Sequence, residues 1–366
     1  MEKIQSLIFL QKRAGKAGAQ TCLARLLQHP KVQAYNPVLV TGETGWLTGE
    51  CDRLGVARIV RSFPSSRSLK GRLWQNRLFA RQIAADLDRL GRRAGFIQGN
   101  DYLDGLLTQA LAKKCQVPSG LFLRSSKMAL RDYTKYRCDQ PDHVALIAEQ
   151  MYETVKSWGV GAPIELILDG VYPEEFSQPK PRHSDLFPNR VLVIGSEIKS
   201  KGWSDLTQAI YQLEQSGRLN HLILDFTGDR PECSENDLKL ERFKQVTCNF
   251  LGRVEQFQEL VQRYELVINP SRQECSGMAS LEVVAAGVPL LTSRTGVMEQ
   301  VISDERFLFR PHDPLDLQRA LQALVIDWSH SDSDWGRAQE RIIQQFNIHD
   351  SVAQLVTAYE KFWPDG

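Results

Sequence analysis

Short apolar runs alternate with longer amphipathic stretches along almost the whole chain, and midway the alternation stops and restarts. In the first half, residues 4–10, 37–41, 57–60, 95–98, 119–123, 144–147 and 164–168 read as strands. Stretches at 20–28, about 47–54, 72–90 and 103–115 read as the helices between them. In the second half, 190–194, 221–226, 246–250, 266–268 and 288–292 are the apolar runs, with helices expected at 203–215, 314–325 and near 352–363. Parallel strands need a crossover, usually a helix, so this pattern predicts doubly wound α/β sheets. Between the halves, residues 173–185 are polar, hold three prolines and read as a linker. The expected domains are therefore 1–172 and 186–349, and in such sheets ligands sit beyond the carboxyl ends of the strands.

Composition agrees with two soluble cores. The 366 residues are 42% hydrophobic and 24% charged, which argues against a disordered or fibrous chain. The apolar run 281–291 is short and contains Glu282, so no bilayer-spanning helix is expected. The run 4–10 is closely followed by Lys12 and Arg13 and reads as a buried strand rather than a signal peptide. Seven widely spaced cysteines without a CxxC pair predict neither a disulfide framework nor structural zinc, and fit a reducing cytoplasm. The histidines are scattered, so no metal site is expected. Asp86-Leu87-Asp88 and Asp332-Ser333-Asp334 spell a metal-binding Asp-x-Asp. The first falls in an expected helix, where i and i+2 side chains diverge, and the second in a Ser/Asp-rich turn; both are taken as incidental.

Net charge is +1, but unevenly spread. Residues 1–170 carry 25 Lys and Arg against 15 Asp and Glu, and the remainder is acidic. Much of the basic excess lies in 61–93, interleaved with Leu73, Trp74, Leu78 and Phe79. This segment reads either as a basic amphipathic surface for an anionic membrane or acceptor, or as a helix with a solvated basic face and an apolar core stripe. Near-neutral overall charge argues against nucleic acid as partner.

The segment 269–291, NPSRQECSGMASLEVVAAGVPLL, carries the most chemistry. Ser276-Gly277 makes a turn, residues 278–286 form helix readily, and Gly287 and Pro289 end it. Glu274 then sits on the loop before the helix and Glu282 on its first turns. Free N–H groups at Gly277, Met278 and Ala279 would face an anion. Each carboxylate can accept hydrogen bonds from neighbouring sugar hydroxyls, so the two could hold both ends of a nucleotide sugar.

This segment resembles the E-x7-E region of retaining glycosyltransferases of family 4, which have the GT-B fold: Pro270-Ser271, Glu274, Gly277, Glu282 and Gly287-Val288-Pro289. Other segments follow in family order. Ala17-Gly18-Ala19 resembles the loop whose backbone approaches the donor diphosphate, where a side chain at Gly18 would block contact. Gly195–Gly202 resembles the second-domain loop, with Lys201 matching the lysine that meets the diphosphate. Ser196 replaces the family arginine, and Lys199 is a candidate substitute for its charge. Phe250–Val254, with Arg253, resembles the turn that holds the nucleobase. Asp169-Gly170-Val171-Tyr172 departs at two of four positions from the family's Asn-Gly-Val-Asp.

The resemblance implies two Rossmann-like domains facing an interdomain cleft, with 350–366 crossing back onto the first. It implies a hexosyltransferase that moves sugar from a UDP- or GDP-linked donor to a glycan, lipid-linked or small-molecule acceptor. Such an enzyme would serve cell-surface polysaccharide or glycoconjugate synthesis, in the cytoplasm or on the inner membrane face. It implies no cofactor and no metal. Glu274, Lys201 and Arg124 are the expected catalytic residues. Gly18, Gly195, Lys199, Arg253, Ser276, Gly277, Met278, Ala279 and Glu282 are expected around the donor. Asn100 and Asp101, after the strand at 95–98, are placed near the acceptor, or form a plain turn. Arg124 stands where many family members carry a histidine; it cannot relay protons at neutral pH but can bind hydroxyls or an anionic substrate. A nucleotide-sugar epimerase and a non-catalytic sugar-nucleotide or glycan-binding protein remain open alternatives.

Overall fold

A computed structural model describes residues 3–65, 69–159, 163–176, 186–196, 198–219, 221–232, 238–328 and 332–363. The chain divides into two compact units, Met1–Gly170 with Ile348–Gly366, and Val171–Asn347.

The first unit holds strands β1 (Ile4–Gln11), β2 (Val38–Thr41), β3 (Ala57–Val60), β4 (Arg92–Gly99), β5 (Ser119–Leu123), β6 (His143–Leu146) and β7 (Ile164–Leu166). They form one parallel sheet in the order β3-β2-β1-β4-β5-β6-β7. Its helices are α1 (Gly18–Gln28), α2 (Pro30–Gln33), α3 (Trp46–Leu54), α4 (Leu69–Arg89), α5 (Gly105–Cys115), α6 (Leu130–Lys135) and α7 (Glu149–Ser157). The central strands are buried on both faces, as Leu7, Ile8, Phe9, Leu10, Phe96 and Ile97 show, so they read as apolar runs rather than alternating ones.

The second unit holds β8 (Arg190–Val193), β9 (Leu222–Phe226), β10 (Val246–Phe250), β11 (Val267–Asn269), β12 (Leu290–Ser293) and β13 (Leu308–Phe309), again all parallel, in the order β10-β9-β8-β11-β12-β13. Its helices are α8 (Trp203–Gln215), α9 (Phe257–Val261), α10 (Met278–Ala285), α11 (Met298–Val301), α12 (Pro314–Ile326) and α13 (Asp332–Gln345). The last helix, α14 (Ile348–Glu360), belongs to the first unit. There the Tyr359 hydroxyl donates to Gln98 Oε1 at 3.3 Å, and Trp363 meets Tyr35 edge-on at 4.6 Å.

Each sheet has one topological switch point, where the chain winds outward in opposite directions: β1/β4 in the first and β8/β11 in the second. The loops leaving the paired strands diverge there, and a crevice opens between them.

The structure corrects one expectation and adds detail to another. Asp332-Ser333-Asp334 begins α13 rather than forming a turn. The expected linker 173–185 starts as a one-turn 3-10 helix, Pro173–Glu175, in the second unit, followed by buried Phe176; its residues 177–185 lie outside the described residues, as does Arg67 of the basic segment. Asp86 and Asp88 lie on α4 and form ion pairs, Asp86 with Arg61 and Arg89, Asp88 with Lys3.

Candidate functional site

The second unit's switch point brings together the residues singled out after β8 and β11. The loop from β8 to α8 and the loop from β11 to α10 are docked on each other. The Arg272 N–H donates to the Ser200 carbonyl at 2.8 Å. The Arg272 guanidinium grips Asp205, on the first turn of α8, with bonds of 2.6 and 2.7 Å. Gly202 ends the β8 loop at φ +68°, and a Cβ there would lie 1.9 Å from the Pro270 carbonyl oxygen. Only glycine fits both that backbone conformation and that approach. Beneath the loop, Trp203 packs edge-on against Phe226 at 4.8 Å, and Phe226 stacks on Phe250 at 5.1 Å. Gly195 at the loop's start exchanges hydrogen bonds with the Thr227 hydroxyl, its N–H donating at 3.2 Å and its carbonyl accepting at 3.1 Å.

This docking sets Lys201 beside Glu274: the ammonium donates to Glu274 Oε1 at 2.7 Å, with both side chains partly open to solvent. Glu274 precedes α10, whose cap residue Gly277 is left-handed at φ +75°. Ser276, Gly277 and Met278 are buried, Ala279 is exposed and Glu282 is half-buried on α10. The first N–H groups of a helix have no partner within it, so this terminus carries partial positive charge next to Lys201 and Glu274. The loop is braced from behind: Asn269 Nδ2 donates to Ser280 Oγ at 2.7 Å, and Asn269 Oδ1 accepts from the Ser271 N–H. Lys199 is exposed one helical turn before Gly202, and its carbonyl faces Arg272. Arg253 is exposed after β10, where the Gly252 N–H donates to the Gly228 carbonyl at 3.2 Å. The assembly can therefore hold a diphosphate on a cation and a helix terminus, and hydroxyls on a carboxylate.

The first unit's switch point has a different character. Asn100 follows β4, is fully buried, and has both ends of its side-chain amide engaged: Nδ2 donates to Gln11 Oε1 and to the Ala19 carbonyl, and Oδ1 accepts from Arg124 Nε at 3.1 Å. Arg124, after β5, holds Asp169 with Nη1 at 2.5 and 2.7 Å. The Arg124 and Asp169 side chains are only 3% and 7% exposed, and the guanidinium stacks 4.5 Å over the Phe122 ring. A void of about 10 Å³ beside them, also lined by Cys22, has room for about one water. Burial, the neighbouring Asp169 charge and its hydrogen bond push the Cys22 thiol well up, partly offset by Arg124. Arg124 thus serves as one half of a buried ion pair, and Asn100 as the tie that joins it to the β1 loop. Gly18 opens α1, and a Cβ there would meet no protein atom within 4 Å. Asp101 accepts from the Leu103 N–H at 3.0 Å, capping a 3-10 turn. Burial raises its carboxyl above the ordinary range, opposed by that hydrogen bond and by Arg124. Asp104 nearby is buried and its carboxyl is raised well above the ordinary range, by burial and then by Asp101.

The sequence reading missed the Arg272–Asp205 grip, the Asn269 brace and the buried Asp104. It treated Arg124 and Asp169 separately, whereas the structure pairs them. Among the described residues, no group of three His, Cys, Asp or Glu side chains is placed to hold a metal ion.

Residues 188–327 match the family model of the group 1 glycosyl transferases, which covers most of the second unit. The N-acetyl-alpha-D-glucosaminyl L-malate synthase of Bacillus anthracis is 25% identical over 245 residues, 64% of this chain and 63% of that protein. The lipopolysaccharide glucosyltransferase WaaG of Escherichia coli K12 is 26% identical over 150 residues, 38% of this chain and 40% of that protein. The alignments thus span from two-fifths to under two-thirds of these curated relatives. Among solved structures, Anabaena Alr3699/HepE in complex with UDP and glucose superposes with a TM-score of 0.77 at 15% identity, over 98% of this chain and all of that one. The fold, two parallel-sheet α/β units, is that of the GT-B glycosyltransferases.

Three variants test this geometry. Gly202→Ala should cost about 2–4 kcal/mol through a strained φ and the clash with Pro270, read as a lowered unfolding temperature. A stability equal to wild type would show that the two loops are not locked together. Arg124→Met should cost about 3–5 kcal/mol by stranding Asp169 as a buried charge, and Arg124→Met/Asp169→Leu should recover much of it. An equal loss in the double variant would contradict the pairing.

Proposed function

We propose that this chain is a retaining family 4 glycosyltransferase that moves a hexose from a UDP- or GDP-linked donor to a glycan, lipid-linked or small-molecule acceptor without a metal. The observation that carries the reading is the Lys201–Glu274 pair at the β8/β11 switch point, beside the amino terminus of α10 and within the matched segment. A partly solvated Lys–Glu pair contributes only about 0–1 kcal/mol, so a phosphate can displace it at little cost. On donor binding, Lys201 turns to the diphosphate and Glu274 to the sugar hydroxyls, while Glu282 meets the ribose. Gly195, Ser276, Gly277, Met278 and Ala279 present backbone to the phosphates, Lys199 adds charge, and the turn at Arg253 flanks the base.

Charge develops on the leaving diphosphate as the glycosidic bond to phosphate breaks. Lys201 and the α10 terminus are preorganised to meet it. The leaving phosphate takes the acceptor's proton on the same face, which preserves the anomeric configuration and needs no side-chain nucleophile. The solved relative bound to UDP and glucose supports a uridine donor. Asp101 lies on the acceptor side, and the loop at Gly18 presents backbone to the donor diphosphate. Arg124 and Asn100 act on that side by position rather than by contact.

The basic segment supports a second element of the reading, an anionic membrane surface. On α4, Phe79, Ile83 and Leu87 enter the core, but Trp74 is 66% and Leu78 42% exposed. With exposed Arg77 and Arg81 they form one stripe at helical spacing.

Lys201→Ala should reduce turnover of UDP- or GDP-hexose by about 10²–10³-fold, the usual cost of one charge-stabilising group, while a chelator leaves the wild-type rate unchanged. Turnover within twofold of wild type would remove Lys201 from the mechanism. Trp74→Glu/Leu78→Glu should lower binding to anionic vesicles by about tenfold or more at low salt. Equal binding of wild type to neutral and anionic vesicles would refute the membrane surface.

A further inference from the structure

The first unit's switch point holds a carboxyl that no structural duty accounts for. Asp104 ends the 3-10 turn after β4, stands at the cap position of α5 and is only 5% exposed. A buried aspartate at a helix start ordinarily accepts from the first free N–H groups or pairs with a cation. Asp104 does neither. Its side chain makes no capping bond to α5, and no hydrogen bond or ion pair reaches its carboxyl among the described residues. Asp101, by contrast, caps its turn through the Leu103 N–H. The dipole of α5 favours an acid at this end. That attraction acts equally on a hydrated side chain and gives no reason to bury one without a partner.

The direction of the carboxyl follows from the charges it feels. Asp101, after β4, pushes its proton affinity up, and Lys12, after β1, pulls it down. The carboxyl therefore lies between the two loops that part at the β1/β4 switch point, where a crevice opens. Its oxygens are not among the buried side-chain atoms closed to water, so a group the size of a hydroxyl reaches them. Lys12 is exposed, and its ammonium has no hydrogen-bond or ion-pair partner among the described residues. A carboxyl and an ammonium facing one crevice suit a ligand whose neighbouring groups both donate and accept, as ring hydroxyls do. Two carboxyls against one ammonium disfavour a phosphate or a carboxylate.

We propose that Asp104 and Lys12 bind adjacent hydroxyls of a neutral sugar ring, and that the acceptor presents such a ring rather than an anionic group. The second clause rests on the glycosyl transfer proposed above; the first stands on the first unit alone.

Ligand-observed NMR titrations of the full chain, with UDP present, test this. The probes are the methyl α-glycosides of glucose, galactose and mannose, against glucose 6-phosphate and glucuronate. At least one methyl glycoside should bind about tenfold or more tighter than either anion. Asp104→Leu should weaken that binding by about tenfold or more, the usual cost of a lost hydrogen bond to a charged group. It should leave UDP affinity within about twofold and hold or raise the unfolding temperature, because an unpartnered buried carboxyl is replaced by an apolar group. Asp104→Asn, which still donates and accepts, should stay within about threefold of wild type. Lys12→Met, at an exposed position, gives the same test if Asp104→Leu fails to fold. No binding of any methyl glycoside, equal binding of the anions, or unchanged affinity in both Asp104→Leu and Lys12→Met would overturn the proposal. So would a lowered unfolding temperature in Asp104→Leu with sugar and UDP affinity falling together, the mark of a merely structural residue. Sugar binding that depends on Asp104, without hexose transfer from UDP- or GDP-hexose, would uphold the sugar site and count against the transfer instead.

Discussion

The close approach of Gly202 to the Pro270 carbonyl is the constraint on which the second unit's site depends. It fuses two loops that leave adjacent strands in divergent directions, at the one place in the sheet where such loops part. Once they touch, the Arg272–Asp205 grip and the Ser200 carbonyl bond fix their register. Lys201 and Glu274 then meet without either being buried. A free cation and carboxylate at this spot would wander over their long rotamers; on a fixed pair of loops they are already oriented, and a ligand has less entropy to overcome.

The first unit solves a related problem by burial. Arg124, Asp169 and Asn100 tie the ends of β4 and β5 to the segment that follows β7, and to the start of α1. A sealed ion pair contributes little net stability over an apolar replacement, but breaking one half is expensive. The arrangement therefore specifies a conformation more than it strengthens the fold. The cation at 124 is therefore not left loose, because Asp169 supplies its counter-charge.

Most of the architecture was legible because parallel strands covered on both faces leave continuous apolar runs. Strands 57–60, 119–123 and 246–250 and helix 203–215 were readable to the residue. The helices that escaped notice, α2, α6, α7, α9, α11 and α13, are short or strongly polar, and their faces are defined by what they pack on. Asp332 shows the limit well: a Ser/Asp cluster reads as a turn, and the same residues serve the first turn of a helix. In the site, the E-x7-E spacing and Lys201 were visible because they are local in sequence. The partnerships of Arg272 with Asp205 and Arg124 with Asp169 were not, since they join residues 67 and 45 positions apart. On α4 the expected core stripe is present in Phe79, Ile83 and Leu87, while Trp74 and Leu78 stay exposed.

The central claim is that a nucleotide diphosphate sits on the docked loops of the second unit. Backbone hydrogen exchange with and without saturating UDP or GDP tests it most directly, because it reports position as well as binding. The account predicts slower exchange confined chiefly to residues 195–202, 250–254 and 274–282, in wild type but not in Lys201→Ala. Protection centred elsewhere, or equal protection in the two proteins, would contradict it.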